Sequence, residues 1–345
     1  MRPPFVIGDF EIAAGSRKTV DLPVSVLSDH TPVAMSVHVI HGKRKGPTVF
    51  VSAGVHGDEV IGVEILRRLL RAKNLATLRG TLIVIPIVNA FGFINHSRYL
   101  PDRRDLNRSF PGSETGSLAS RLAYLFMTEV VERCDFGIDL HSAAIHRVNL
   151  PQIRISHDNS VLKEMAEVFG APVILQSSMR EGSLRQSAHE IGKNVLLFEA
   201  GEGLRFDEMS IRAGVAGILR VLNHAGMIGS KGIAKTKGTP QYCISSKWLR
   251  APAGGLLRSY RADGDVVEKG EVMAAVSNPF GELEQEITAP FSGIIVGRAM
   301  MPIVNEGDAI FHLARVKSVM RAGETVEDMT AQLFDDPLFD EDDLI

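Results

Sequence analysis

The sequence predicts an α/β domain whose sheet is covered on both faces, followed by a small all-β module. Between residues 47 and 228, apolar runs of strand length alternate with segments of helical period. Those runs are apolar along their whole length, as strands buried on both faces are. After residue 240 the helical period vanishes, and short strands with frequent Gly and Pro take over.

The elements follow in order. Ala34-Met-Ser-Val-His-Val-Ile40 alternates with period two and reads as a strand, with a turn over 42–47. A strand is expected over 48–52, then a helix over 60–73 with Val63, Leu66 and Leu70 on one face. Residues 81–89 read as a buried strand, 117–133 as a helix and 136–140 as a short strand. A helix over 159–169, a strand over 195–198 and a long closing helix over 205–225 complete the α/β unit. Four segments result: 1–228, a polar glycine-rich linker at 229–240, a β module at 241–318, and an acidic tail at 319–345. The six acids of 335–345 read as a solvated end.

The β module carries an internal repeat. Ala251-Pro252-Ala-Gly-Gly255-Leu-Leu recurs as Ala289-Pro290-Phe-Ser-Gly293-Ile-Ile, and each copy is followed by a Gly-Asp, at Gly264-Asp265 and Gly307-Asp308. Two similar halves imply a small sandwich with a pseudo-twofold. The module resembles biotinyl/lipoyl-like domains of the barrel-sandwich kind, which present a modified lysine on the hairpin between the halves. The matching hairpin at 277–284 has no lysine, which argues against a swinging-arm carrier.

Composition excludes several classes. With 38 basic and 41 acidic residues the formal net charge is −3, a poor match to a nucleic-acid binder. A hydrophobic fraction of 45% with 23% charged residues reads as globular. No run approaches the ~18 apolar residues of a membrane span, and the first five residues lack the apolar run of a signal peptide. Two cysteines exclude a disulfide scaffold and a thiolate zinc finger and fit a cytoplasmic protein.

The strongest chemical signal is Gly54-Val-His56-Gly-Asp-Glu59, where a strand hands over to a helix. That carboxyl edge is where open α/β sheets place their ligands. An imidazole and a carboxylate three residues apart suit a divalent cation, zinc above others. A catalytic zinc takes three protein ligands, and His141, ending the strand at 136–140, is the candidate for the third. Asp139, two residues earlier in an apolar strand, is expected to orient a metal ligand. The loop from Arg98 through Arg103, Arg104, Asp105, Asn107 and Arg108 to Gly112 is dense in guanidinium, which pairs bidentately with carboxylates. An arginine there also suits stabilisation of an oxyanion. Glu199 ends another apolar strand and is a candidate general base; Glu202 lies in the flanking glycine turn and is the weaker candidate.

His56-Gly-Asp-Glu59, Asp105-Leu-Asn107-Arg108, Asp139-Leu-His141 and Glu199-Ala-Gly201 occur in an order that resembles the succinylglutamate desuccinylase/aspartoacylase family, relatives of the zinc carboxypeptidases. The likeness covers roughly 35–225, and the trailing β module matches the family's architecture. It implies a zinc-carboxypeptidase-like mixed sheet flanked by helices, with 1–228 as the catalytic domain. It implies one zinc per chain on His56, Glu59 and His141, a carboxylate clamp at Asn107 and Arg108, and Glu199 as general base. Arg98 corresponds best to a carbonyl-polarising arginine, with Arg103 and Arg104 as alternatives; Arg180 and Arg185 are candidates for further substrate contacts. The implied reaction is hydrolysis of a small N-acyl amino acid to a carboxylate and a free amine. The competing readings are a zinc carboxypeptidase acting on peptides and a non-enzymatic scaffold, the latter requiring a broken metal site. A homo-oligomer is compatible with the family, although no apolar stripe marks an interface.

Overall fold

The structure, a computed structural model, describes residues 2–157 and 159–334; the acidic end at 335–345 lies outside the described residues. Among the described residues one sheet of thirteen strands spans the molecule. Its main path runs Ser246–Arg250, Ala309–Arg315, Gly293–Ala299, Arg147–Ile155, Asn194–Glu202, Phe136–His141, Arg44–Ala53, Arg79–Ile85, Pro32–His41, Ser16–Val26. The centre is parallel, from Arg79–Ile85 through Arg44–Ala53 and Phe136–His141 to Asn194–Glu202. Both flanks are antiparallel, so the sheet is mixed as expected. No helix among the described residues is long and apolar enough to cross a membrane.

The strand period of two divides the central strands between two cores. Val49, Val51, Ala53, Ile138, Leu140, Leu196 and Phe198 pack on the helices Ile61–Leu69, Ser160–Phe169 and Glu208–His224. Phe50 and Val195 point the other way, with the helix Leu118–Phe126 and the N-terminal strands. Helix starts are polar where expected: Asn159 accepts from Leu162 N, and Asp207 from Ser210 N. The apolar run expected over 81–89 leaves the sheet at Ile85. Its last residue, Asn89, instead caps the short helix Ala90–Ile94 by accepting from Gly92 N.

Several elements were not legible in the sequence, among them the strand Val173–Gln176, the helix Leu184–Glu190 and two that matter more here. Arg147–Ile155 is a central strand whose Asn149 and Arg154 interrupt the apolar pattern because they line a cavity. Val319–Phe334, expected as the start of an acidic tail, is a helix packed on Glu208–His224. Ala322, Met329 and Leu333 recur at helical spacing and are buried, which is why this segment folds back.

The C-terminal strands divide between two sheets. Ser246–Arg250, Gly293–Ala299 and Ala309–Arg315 extend the long sheet, with Gly297 paired to Asn149. A second sheet of Glu284–Thr288, Val272–Ser277, Gly255–Ser259 and Ile303–Val304 packs on them around Val276, Ile295 and Phe311. The sequence repeat is a repeated turn: Asp265 Oδ2 accepts from Ala262 N and Asp308 Oδ2 from Asn305 N, each at 2.8 Å. The preceding Gly264 and Gly307 have φ of +92° and +85°, a region that favours glycine.

Phe50 is fully buried and meets Phe126 edge-on at 5.7 Å. Phe50→Ala is expected to cost about 3–5 kcal/mol, seen as a lower urea midpoint at an unchanged slope.

Candidate metal centre and active site

Three segments bring the candidate ligands together at the carboxyl edge of the parallel strands. His56 and Glu59 lie in the connection after Arg44–Ala53, and His141 ends Phe136–His141. Gly57 permits this connection: a Cβ there would lie 1.9 Å from the carbonyl carbon of Gly92. His56, Glu59 and His141 are all buried, and each offers one ligand atom within 4.8 Å of the others.

Glu59 joins the two imidazoles. His56 Nδ1 is 2.6 Å from Glu59 Oε1, and His141 Nδ1 is 2.7 Å from Oε2. The opposite ring nitrogens each face a second carboxylate. His141 Nε2 donates to Asp139 Oδ2 at 2.7 Å, and His56 Nε2 to Asp105 Oδ1 at 3.2 Å. Such partners fix the tautomer and leave Nδ1 to serve as a ligand. Asp139 accepts in turn from Ser52 Oγ at 2.7 Å, as its place in an apolar strand required. Asp105, which the sequence marks only as part of a motif, holds His56 and accepts from Arg98 Nε and Nη2 at 3.1 and 3.0 Å.

Electrostatics follow from burial and pairing. Burial opposes ionisation of Glu59, but the two imidazoles outweigh it and hold the carboxyl well below its usual range. Burial opposes protonation of His141, but Asp139 and Glu59 raise it well above the usual histidine range. Burial acts likewise on His56, which Glu59 and Asp105 raise.

A cavity of about 470 Å³ opens beside this cluster. Arg98, Asn107, Arg108 and Glu199 all line it, together with the three candidate ligands. Arg98 Nη1 lies 3.3 Å from Glu59 Oε1. Arg103 and Arg104 are exposed and do not line the cavity, so of the three candidate polarising arginines Arg98 is the one at the site. Asn107 is oriented by the chain: its Oδ1 accepts from Leu184 N at 2.9 Å. Arg108 Nη1 donates to the Asn107 carbonyl. Glu199 is in parallel register with His141 on the neighbouring strand, so both side chains rise from the same face. Glu202 accepts from His146 N and does not line the cavity.

Sequence reasoning missed several cavity residues, four of them with large or charged side chains or a contact to Glu199. Asn149 Nδ2 donates to Glu199 Oε2 at 2.8 Å, and Arg154 Nη1 lies 3.3 Å from Oε1. Arg147 and Trp248 form one wall, the guanidinium 5.4 Å above the indole. None carries a local signal, because each owes its place to strand pairing across long sequence separations.

The fold and this cluster define a hydrolase-like α/β protein with a candidate metal site of two imidazoles and one carboxylate. The family model for the succinylglutamate desuccinylase/aspartoacylase catalytic domain matches residues 45–225, and the chain belongs to that family. It is 29% identical over 323 residues to N-α-acetyl-L-2,4-diaminobutyric acid deacetylase of Halomonas elongata, covering 89% of this chain and 94% of that one. It is 27% identical over 192 residues to a succinylglutamate desuccinylase of Pseudomonas aeruginosa, 51% of this chain and 57% of the relative. The product-bound ectoine utilization protein EutE (DoeB) of Ruegeria pomeroyi shares the fold with a TM-score of 0.78 at 24% identity, covering 87% of this chain and 94% of that one.

Asp139→Asn should leave the fold intact and weaken metal affinity by about 10–100-fold, measured by chelator competition. Because pairing raises both imidazole pKa values, metal uptake must displace protons, and apparent affinity should fall as pH falls. Calorimetry in two buffers of different ionisation enthalpy reads that proton release directly; an enthalpy independent of buffer contradicts it.

Proposed function

We propose that the protein is a zinc-dependent deacylase that hydrolyses the amide of a small N-acyl amino acid. The observation that carries this is the meeting, in one cavity, of a His56–Glu59–His141 ligand set, a carboxylate at Glu199 outside that set and an Asn107–Arg108 pair. The donor set fits a tetrahedral zinc site with three protein ligands and one open position. A cation held there supplies positive charge for the carbonyl oxygen and the attacking water.

The chain's own groups do the rest. Arg108 and Asn107 grip the carboxylate of the amino acid and orient the scissile amide. Glu199 takes a proton from the attacking water and returns it to the amide nitrogen as the C–N bond breaks. Arg98, bordering Glu59, donates to the oxygen that gains charge. The cavity volume suits a small acylated amino acid better than a peptide. We read residues 1–228 as the catalytic unit, 241–318 as a barrel-sandwich unit without a carrier lysine, and the setting as cytoplasmic, in keeping with two unpaired buried thiols.

Charge narrows the substrate. Six arginines and three carboxylates line the cavity, and those carboxylates are the ligand Glu59, its neighbour Asp139 and the base Glu199. Among the described residues Arg108, Arg147, Arg180 and Arg185 line it without a carboxylate partner. Burial, with Arg154 nearby, pushes Arg185 down to about 10. Unpaired guanidinium favours a second carboxylate on the substrate, and no carboxylate is left for a side-chain ammonium.

Glu199→Gln is expected to retain zinc and lose roughly 10²-fold or more in kcat. Arg108→Ala should lower kcat/KM by roughly 10–100-fold, mainly through KM, in line with loss of a charged hydrogen bond of about 1.5–3 kcal/mol. In a panel of N-acetyl-L-aspartate, N-succinyl-L-glutamate and N-acetyl-L-2,4-diaminobutyrate, the dicarboxylates should lead by at least about tenfold, or 1.4 kcal/mol. Equal or better turnover of the diaminobutyrate compound would overturn the charge assignment.

A further inference from the structure

We propose that Asn149 is a positioning residue for Glu199, and that Gly297 of the C-terminal module is what lets it act. This rests on the reading of Glu199 as the general base. Each oxygen of that carboxylate has its own partner, Asn149 Nδ2 at 2.8 Å on Oε2 and Arg154 Nη1 at 3.3 Å on Oε1. Two partners, one on each oxygen and both from the strand Arg147–Ile155, set the carboxylate's plane as well as its position. Asn149 is 5% exposed, so its amide has little bulk water to turn to.

The backbone aims this contact. Between Asn194–Glu202 and Arg147–Ile155 the register shifts from Glu199↔Gln152 to Gly201↔Asn149. A bulge of this kind re-aims side chains next to active sites. Across the strand on its other side, Asn149 is paired with Gly297. A Cβ at Gly297 would lie 2.6 Å from Asn149 Oδ1 and 3.1 Å from the Val148 carbonyl oxygen. The asparagine amide therefore occupies space that only glycine leaves open. Beyond Gly297 the row is rigid: His312 pairs with it, donates or accepts at Ser246 Oγ (2.8 Å), and stacks on Trp248 at 4.8 Å and 8°. The amide cannot be accommodated by shifting that side of the row.

The C-terminal module thus has a part in the chemistry that needs no carrier lysine. It closes the row of side chains that runs from Trp248 to the base. The carboxylate clamp sits on a different loop, so disturbing this row should cost turnover and spare binding.

The test uses the zinc-loaded full chain, with kcat and KM on the best substrate among N-acetyl-L-aspartate, N-succinyl-L-glutamate and N-acetyl-L-2,4-diaminobutyrate, and with zinc content and melting measured for every variant. Asn149→Ala should lower kcat by about tenfold with KM within about twofold, the size expected when a supporting contact to a catalytic group is lost. Asn149→Asp has the same shape but no Nδ2 donor, and its charge faces Glu199; it should fall further than Asn149→Ala. A role in packing alone gives the opposite order. Gly297→Ala should match Asn149→Ala, and the two losses should not multiply in the double variant, because the truncated side chain no longer meets the new methyl. Asn149→Asp at wild-type turnover, or multiplying losses, overturns the proposal. If Gly297→Ala fails to fold, the order of the Asp and Ala variants at 149 still decides it. Glu199→Gln separates the two levels: inactive Glu199→Gln beside fully active Asn149→Asp sinks the positioning role alone, whereas active Glu199→Gln sinks the assignment of the base.

Discussion

The carboxyl edge of this sheet is organised around one buried carboxylate. Glu59 is 3% exposed, and a charge so deeply placed is costly unless it is paired and hydrogen-bonded. Two imidazoles meet that cost at 2.6 and 2.7 Å, but they import the same problem one step outward. Asp105 and Asp139 answer for the imidazoles, and Arg98 and Ser52 for those acids. The result is one continuous chain of alternating donors and acceptors, Arg98–Asp105–His56–Glu59–His141–Asp139–Ser52. Each member is held by its neighbours, so removing one leaves a buried group without a partner.

Sheet geometry explains why this chain is possible. Ser52, Asp139 and Leu197 lie side by side in parallel register, and His141 and Glu199 come two residues later on the same face. The opposite face of those strands is apolar and packed on three helices. A one-residue slip would exchange the two faces and put two acids and an imidazole into the helix-covered core. The apolar side thus enforces the register that the polar side needs. Close approach of the turn after His56 to the chain at Gly92 finishes the construction, with glycine at 57 because backbone fills the place of a side chain.

This explains what could be read in advance. His56, Glu59, Asp139 and His141 stand out in the sequence because each is a polar residue within, ending or just after an apolar strand, a local contrast. The central α/β alternation was legible for the same reason, as was the repeated Gly-Asp turn of the module. Arg98 could not be separated from Arg103 and Arg104 until the fold was known, since only the fold exposes the latter two: Arg103 sits at φ +62° in a turn that faces solvent. Asn149, Arg154 and Trp248 had no local contrast at all. Their strands pair with partners roughly 50 to 150 residues away, and polar residues on them looked like breaks in a pattern. The helix Val319–Phe334 was hidden by its acids, although its buried face has ordinary helical spacing.

Charge on the two sides of the cavity then assigns distinct tasks. The ligand cluster is internally neutralised, each acid facing an imidazole or a guanidinium, so it attracts little beyond a cation. The excess positive charge lies instead on Arg108, Arg147, Arg180 and Arg185, outside that chain. Arg185 shows the tension of this arrangement, its pKa pushed down to about 10 by burial beside Arg154, with only backbone and hydroxyl oxygens at its Nη1 and Nη2. An anion offsets the mutual repulsion of these guanidinium groups, which a neutral or cationic group cannot do. In the function proposed above, carboxylates of the substrate are drawn to the arginines and away from Glu59 and Glu199, which repel them. What remains to face the cluster is the uncharged part of the molecule, its amide. In the proposed reading, selectivity and orientation come from one charge pattern, before any step of bond making or breaking begins.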